Sequence, residues 1–102
     1  MRYVYPAIFH KAEEGGYWIE FPDVQGAITE GDTMYEAIMM AEDVLSLALV
    51  CAEDEGQEIP SPSLHTDIKL GKDDFIEFIK ADTDAYRETL NKSKKGKPEK
   101  AA

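Results

Sequence analysis

Glu20, Asp23, Glu30 and Asp32 fall within the fourteen residues of "EFPDVQGAITEGDT", 20–33, and Glu36 follows close behind. Clustered carboxylates are the donor set of Mg²⁺-dependent nucleases, because hard cations take oxygen ligands and must be held against phosphate. A metal-dependent nuclease is therefore the enzymatic reading of this stretch. Helix capping accounts for part of the cluster without any metal. Thr33 and Glu36 have the Thr-x-x-Glu spacing in which each side chain satisfies a free amide at a helix start. Glu36 also sits well against the positive end of the helix dipole. Glu20 and Glu30 occupy strand positions whose neighbours point the other way, as solvent-facing residues do. The reading adopted is an acidic patch of Glu20, Asp23 and Glu30 presented to a basic partner, with no catalytic residue and no metal.

Other reactive groups are sparse. The two histidines, His10 and His65, have no Gly-x-Ser-x-Gly turn or Cys-His pairing beside them, so nucleophilic catalysis has no signature. Each is expected at the surface or a strand edge. The single cysteine, Cys51, excludes an intrachain disulfide, and its place in a helical pattern predicts a buried structural thiol. "GAITEGDT" has two glycines before a helix but lacks the lysine of a phosphate-cradling loop. No cofactor motif is present.

Charge narrows the partner class. Net charge is −10, split between −14 over residues 1–91 and +4 over 92–102. The acidic body repels phosphate backbones and attracts a basic protein. The terminal "KSKKGKPEKAA" offers Lys92, Lys94, Lys95 and Lys97 as a weak nucleic-acid contact. It has no interleaved aromatics, so it reads equally well as a solubilising end. The start is too polar for a signal peptide, no stretch has membrane-spanning length, and a cytoplasmic protein with no membrane partner is expected.

The elements that must position these residues read as an α+β domain over residues 1–90, followed by a disordered lysine-rich tail over 91–102. "RYVYPAIFH" (2–10) is a strand with Tyr3, Tyr5, Ala7 and Phe9 on one face. Pro6 lacks a ladder donor, which requires an unpaired side or a bulge there. Gly15 and Gly16 turn the chain into "YWIEF", and Pro22 and Gly26 turn it again into "AITE", giving a three-stranded antiparallel meander. Apolar residues at 34, 37, 38, 41, 45, 48, 49 and 52 then mark one buried face of a helix ending near Gly56. Val44, Leu47 and Val50 widen that stripe towards a second contact, another layer or another subunit. "FIEFIKAD" (75–82), apolar on both faces, predicts a fourth strand inside the sheet, where a right-handed crossover would make it parallel to an earlier one. "TDAYRETL" (83–90) adds at most a last helical turn.

These motifs together resemble the HicB family of antitoxins. The resemblance rests on Tyr5-Pro6-Ala7, Gly15-Gly16-Tyr17, Phe21-Pro22-Asp23 with Gly26, Gly31-Asp32-Thr33, the "IPSPS" connector and "DAYR", spanning about residues 3–87. It implies a β-β-β-α-β, partial ribonuclease H-like fold without that fold's catalytic carboxylates. It also implies a type II antitoxin that occludes a small basic, mRNA-cleaving HicA-like toxin, and assembly as a homodimer or higher homo-oligomer. HicB antitoxins commonly carry a C-terminal DNA-binding domain, and nothing after Arg87 resembles one, so operator binding is not carried over. A solitary HicB-like protein with a nucleic-acid-binding or regulatory role is the alternative.

Overall fold

The computed structural model describes the backbone of residues 1–101 and the side chains through Lys92. Four strands, β1 (Arg2–Lys11), β2 (Tyr17–Glu20), β3 (Ile28–Gly31) and β4 (Phe75–Asp82), form one sheet in the order β3-β2-β1-β4. Helix α1 (Met34–Asp54) packs on it, and α2 (Thr83–Ala101) follows β4 directly. The expected meander and long helix are both present. Helix α2 runs past the single last turn expected of 83–90 and into the stretch expected to be a disordered tail; the side chains of Lys94, Lys95 and Lys97 lie outside the described residues.

Alternation along β1 turns Tyr5, Ala7 and Phe9 towards α1, while Pro6 and Ile8 on the opposite face are buried as well. Tyr5, Ala7 and Phe9 join Ile19, Phe21, Ile79 and Ala81 beneath Ala37, Ala41, Leu45 and Leu49 of α1. Alanines at 37 and 41 let the helix backbone come close to the sheet. At Gly31 the approach is closest, since a Cβ there would lie 2.5 Å from the Ala37 nitrogen and 2.6 Å from its Cα. Only a residue without a side chain fits.

The helix ends are closed as its sequence predicts. Thr33 is the N-cap, and its Oγ1 accepts the Glu36 amide at 3.1 Å. Glu36 Oε1 reaches one residue further back than in a standard capping box, accepting the Asp32 amide at 2.6 Å. At the other end Gly56 takes φ 68°. The Gly56 amide bonds Glu53 O at 3.2 Å and the Gln57 amide bonds Ala52 O at 2.9 Å, the paired closure of a Schellman turn.

Three further expectations require correction. β4 is an edge strand, not an internal one, and it pairs antiparallel to β1, from Arg2↔Asp82 to Phe9↔Phe75. Its second apolar face is covered only in part: Ile76 is half-buried beside Ile8, which is 8% exposed, whereas Phe78 is 58% exposed. The chain can run antiparallel because α1 and the connector return it to the end of β1 at which β1 finishes. Cys51 is exposed rather than buried, since the helix turns it away from the sheet. Pro6 behaves as foreseen: β2 reaches along β1 only to Ile8↔Glu20, so no β2 ladder flanks the proline.

The connector between α1 and β4 is tied down at two points. Tyr5 Oη donates to the Pro60 carbonyl. Asp23, in the β2–β3 turn, accepts the Ser63 amide at 2.8 Å and the Ser63 hydroxyl. A polar cluster fastens the far end of α1. Glu53 accepts from Tyr3 Oη (2.7 Å), Thr83 Oγ1 (3.0 Å) and Arg87 Nη2 (3.0 Å), joining β1, α1 and α2.

Candidate partner-binding face

Strand alternation places His10, Trp18, Glu20, Ile28 and Glu30 together on the sheet face opposite α1. Register fixes their neighbours: His10↔Trp18, Trp18↔Glu30 and Glu20↔Ile28. Trp18 is 40% exposed and Ile28 59% exposed, and Glu30 is open to solvent. Two apolar side chains therefore stand between two carboxylates on a flat, outward surface.

His10 holds this surface rigid. Its ring stacks on Trp18 with centroids 3.8 Å apart and planes 12° from parallel. Nε2 lies 2.6 Å from Glu20 Oε2 and Nδ1 lies 2.9 Å from Asp74 Oδ1. A neutral imidazole carries one N–H, so only the doubly protonated ring donates to both carboxylates. The cluster links β1, β2 and the approach to β4 while keeping the indole flat. His10 is half-buried within the sheet rather than the surface or strand-edge residue that the sequence suggests. Parity in the hairpin would have paired His10 with Trp18, but Asp74 is remote in sequence and carries no local signal.

The predicted site residues separate accordingly. Glu20 and Glu30 share the outward face. Asp23 lies in the turn beyond it, with its carboxylate engaged by Ser63. Glu30 makes no hydrogen bond or ion pair among the described residues. Thr33 and Glu36 belong to the helix cap, and Lys92 is exposed on α2. Among the described residues no three His, Cys, Asp or Glu side chains converge to hold a metal ion. Nor is any described helix long and apolar enough to cross a membrane.

Two other surfaces stand out. On the same side of the sheet, beyond the buried Ile8 and Pro6, Val4 and Phe78 are 52% and 58% exposed, with His65 packed edge-on against Phe78 at 6.1 Å. On the helix side, a groove of about 670 Å³ runs between α1, β4 and α2, walled by Met39, Asp43, Ser46, Ala81, Ala85 and Tyr86.

Comparison with known proteins gives a consistent picture. Residues 5–95 match the family described as HicB_like antitoxin of bacterial toxin-antitoxin system. Antitoxin HicB 1 of Photorhabdus laumondii is 43% identical over 58 residues, covering 57% of this chain and 37% of that protein. The chain spans less than half the length of the curated antitoxins it matches, 43% in the case of Antitoxin HicB of Escherichia coli K12. A chain of the HicA3 and HicB3 toxin-antitoxin complex superposes with a TM-score of 0.60 at 26% identity, covering 78% of this chain and 99% of that one.

Proposed function

The chain belongs to the HicB-like antitoxin family, and from that premise we propose that it binds a small basic HicA-like toxin and inhibits it by covering its RNA-cleaving surface. The action is stoichiometric: the protein works by occupying a surface and has no enzymatic activity of its own. It acts in the cytoplasm, where such a toxin would meet mRNA.

The observation that carries this reading is the outward face of β2 and β3. A basic protein is steered in by a body of charge −14 and then meets Trp18 and Ile28 between Glu20 and Glu30. Rigid aromatic and aliphatic anchors ringed by charge are the usual centre of a binding surface. Glu30 is the free acid of the pair, whereas Glu20 is shared with His10. Asp23 supports the surface from the turn and holds the connector in place.

Co-expression with a small basic HicA-like protein tests the proposal. The expected outcome is relief of growth arrest and a complex that survives purification. A toxin that stays active and unbound beside folded antitoxin would sink it.

A further inference from the structure

Trp18 is the only tryptophan in the chain, and the two faces of its indole are not alike. One is taken: the His10 ring lies against it, 3.8 Å between centroids and nearly parallel. His10 comes from β1 and the strand order is β3-β2-β1, so the other face of the indole is turned towards β3. There the register neighbour of Trp18 is Glu30, with Ile28 on the diagonal. Trp18 remains 40% exposed although one side of its ring is covered. Because β3 is an edge strand, the Glu30 side chain can lean outwards and leave room for a planar group against the indole.

The carboxylates around the ring differ as well. Glu20 and Asp74 are both engaged by His10, at 2.6 and 2.9 Å. Glu30 is open to solvent and has no hydrogen-bond or ion-pair partner among the described residues. An electron-rich ring face beside an unmatched carboxylate attracts a cation on two counts. The shape of the gap then chooses between the two cationic side chains. A guanidinium is planar and weakly hydrated, so it can lie flat on the indole while its N–H edge donates to the carboxylate. An ammonium is a compact, strongly hydrated point charge and gains less from the same surface. Ile28 supplies apolar cover for the methylene stem of the incoming side chain.

We infer that the open face of Trp18, with Glu30 and Ile28, is a seat for one arginine side chain of a basic partner. The inference rests on the reading of this face as the toxin-binding surface, and it names the chemical group that the surface selects. His10 is a positioning residue here: stacked on the covered face and held by Glu20 and Asp74, it keeps the indole plane upright before the partner arrives. Glu30 is the carboxylate left to meet the arginine.

A six-arginine peptide and a six-lysine peptide, equal in charge, test this on the full chain with no toxin present. Trp18 emission is the readout, since no other tryptophan contributes. The arginine peptide is expected to change that emission and to bind about fivefold more tightly than the lysine peptide. Glu30→Gln should weaken the arginine peptide more than the lysine one. Trp18→Leu, followed by calorimetry with circular dichroism as the folding control, should erase the preference and leave the charge-driven binding common to both. Equal binding of the two peptides, arginine binding that leaves Trp18 emission unchanged, or a preference that survives Trp18→Leu would each overturn the inference. The toxin reading stands or falls separately. Relief of growth arrest by a chain that does not distinguish the peptides would remove the arginine seat alone, and a toxin left active beside a chain that prefers arginine would remove only the toxin reading.

Discussion

Tyr3 donates a 2.7 Å hydrogen bond to Glu53, fastening the first strand to the last turn of the long helix. The bond shifts both partners. Glu53 is held below its ordinary value of 4.5, first by Tyr3 and then by Arg87 and Thr83. Tyr3 is pushed up to about 12, first by the same bond and then by burial. A lowered carboxyl contributes stability above its unfolded value and loses it as pH falls through the folded one. A raised phenol contributes below pH 10 and loses that contribution as pH climbs towards about 12. Denaturant titrations across pH should therefore show stability declining below about 4.5 and above 10. Tyr3→Phe should cost about 2 kcal/mol near neutrality and flatten the alkaline decline. A variant with the wild-type pH profile would show that the bond contributes nothing.

Trp18→Ala and Glu30→Lys should each weaken binding of a basic HicA-like toxin, the tryptophan by about 30-fold, with no change in folded content. Both side chains are on the open face, and neither belongs to the core. Asp23→Ala should behave differently. It frees Ser63 and should lower stability by about 1–3 kcal/mol before it alters affinity. Calorimetric titration beside thermal unfolding separates the two effects, and toxin affinity indifferent to both Trp18→Ala and Glu30→Lys would move the interface elsewhere.

Gly31→Ala should be strongly damaging for a single added methyl. The added carbon would meet helix backbone, which cannot rotate aside as a side chain can. Overpacking of this kind costs about 1–3 kcal/mol or more, and α1 must shift off the sheet to relieve it. A melting temperature within a degree or so of wild type would show that the close approach of α1 to β3 does not limit stability.

Removing residues 92–102 takes the net charge from −10 to −14. Association with a basic partner should then become faster at low salt and change little at high salt. Loss of a salt-sensitive nucleic-acid affinity on the same deletion would instead support a role for Lys92, Lys94, Lys95 and Lys97 in such binding.

Local signals carried far along this chain, and where they stopped is instructive. The α1 stripe, its Thr33 cap and its Gly56 stop are contacts within a few residues, so periodicity and capping rules found them. The turns at Gly15 and Gly16 and at Gly26 gave the meander for the same reason. The position of β4 is different, because edge and centre strands differ in their neighbours rather than in their residues. Phe78 made β4 look covered on both sides. Its exposure shows how weakly one apolar side chain marks burial. On the candidate face, alternation foresaw Glu20 and Glu30 pointing outwards. The His10 clamp on Trp18 has no local signal because half of it, Asp74, arrives from the far end of the chain.

That same closure orders events in time. β1 lies inside the sheet, yet its β4 partner comes from the other end of the domain, with Tyr5 opposite Ile79, 79 − 5 = 74 residues away. The meander and α1 need only nearby chain, whereas the last pairing must close a long loop, and contacts of that span are slow to form. A chain emerging from the ribosome would hold Tyr3, Tyr5 and Phe9 half-covered until Asp82 is made. Nascent copies thus pass through an interval in which their central strand is open to proteases and chaperones, and the arrival of β4 ends it.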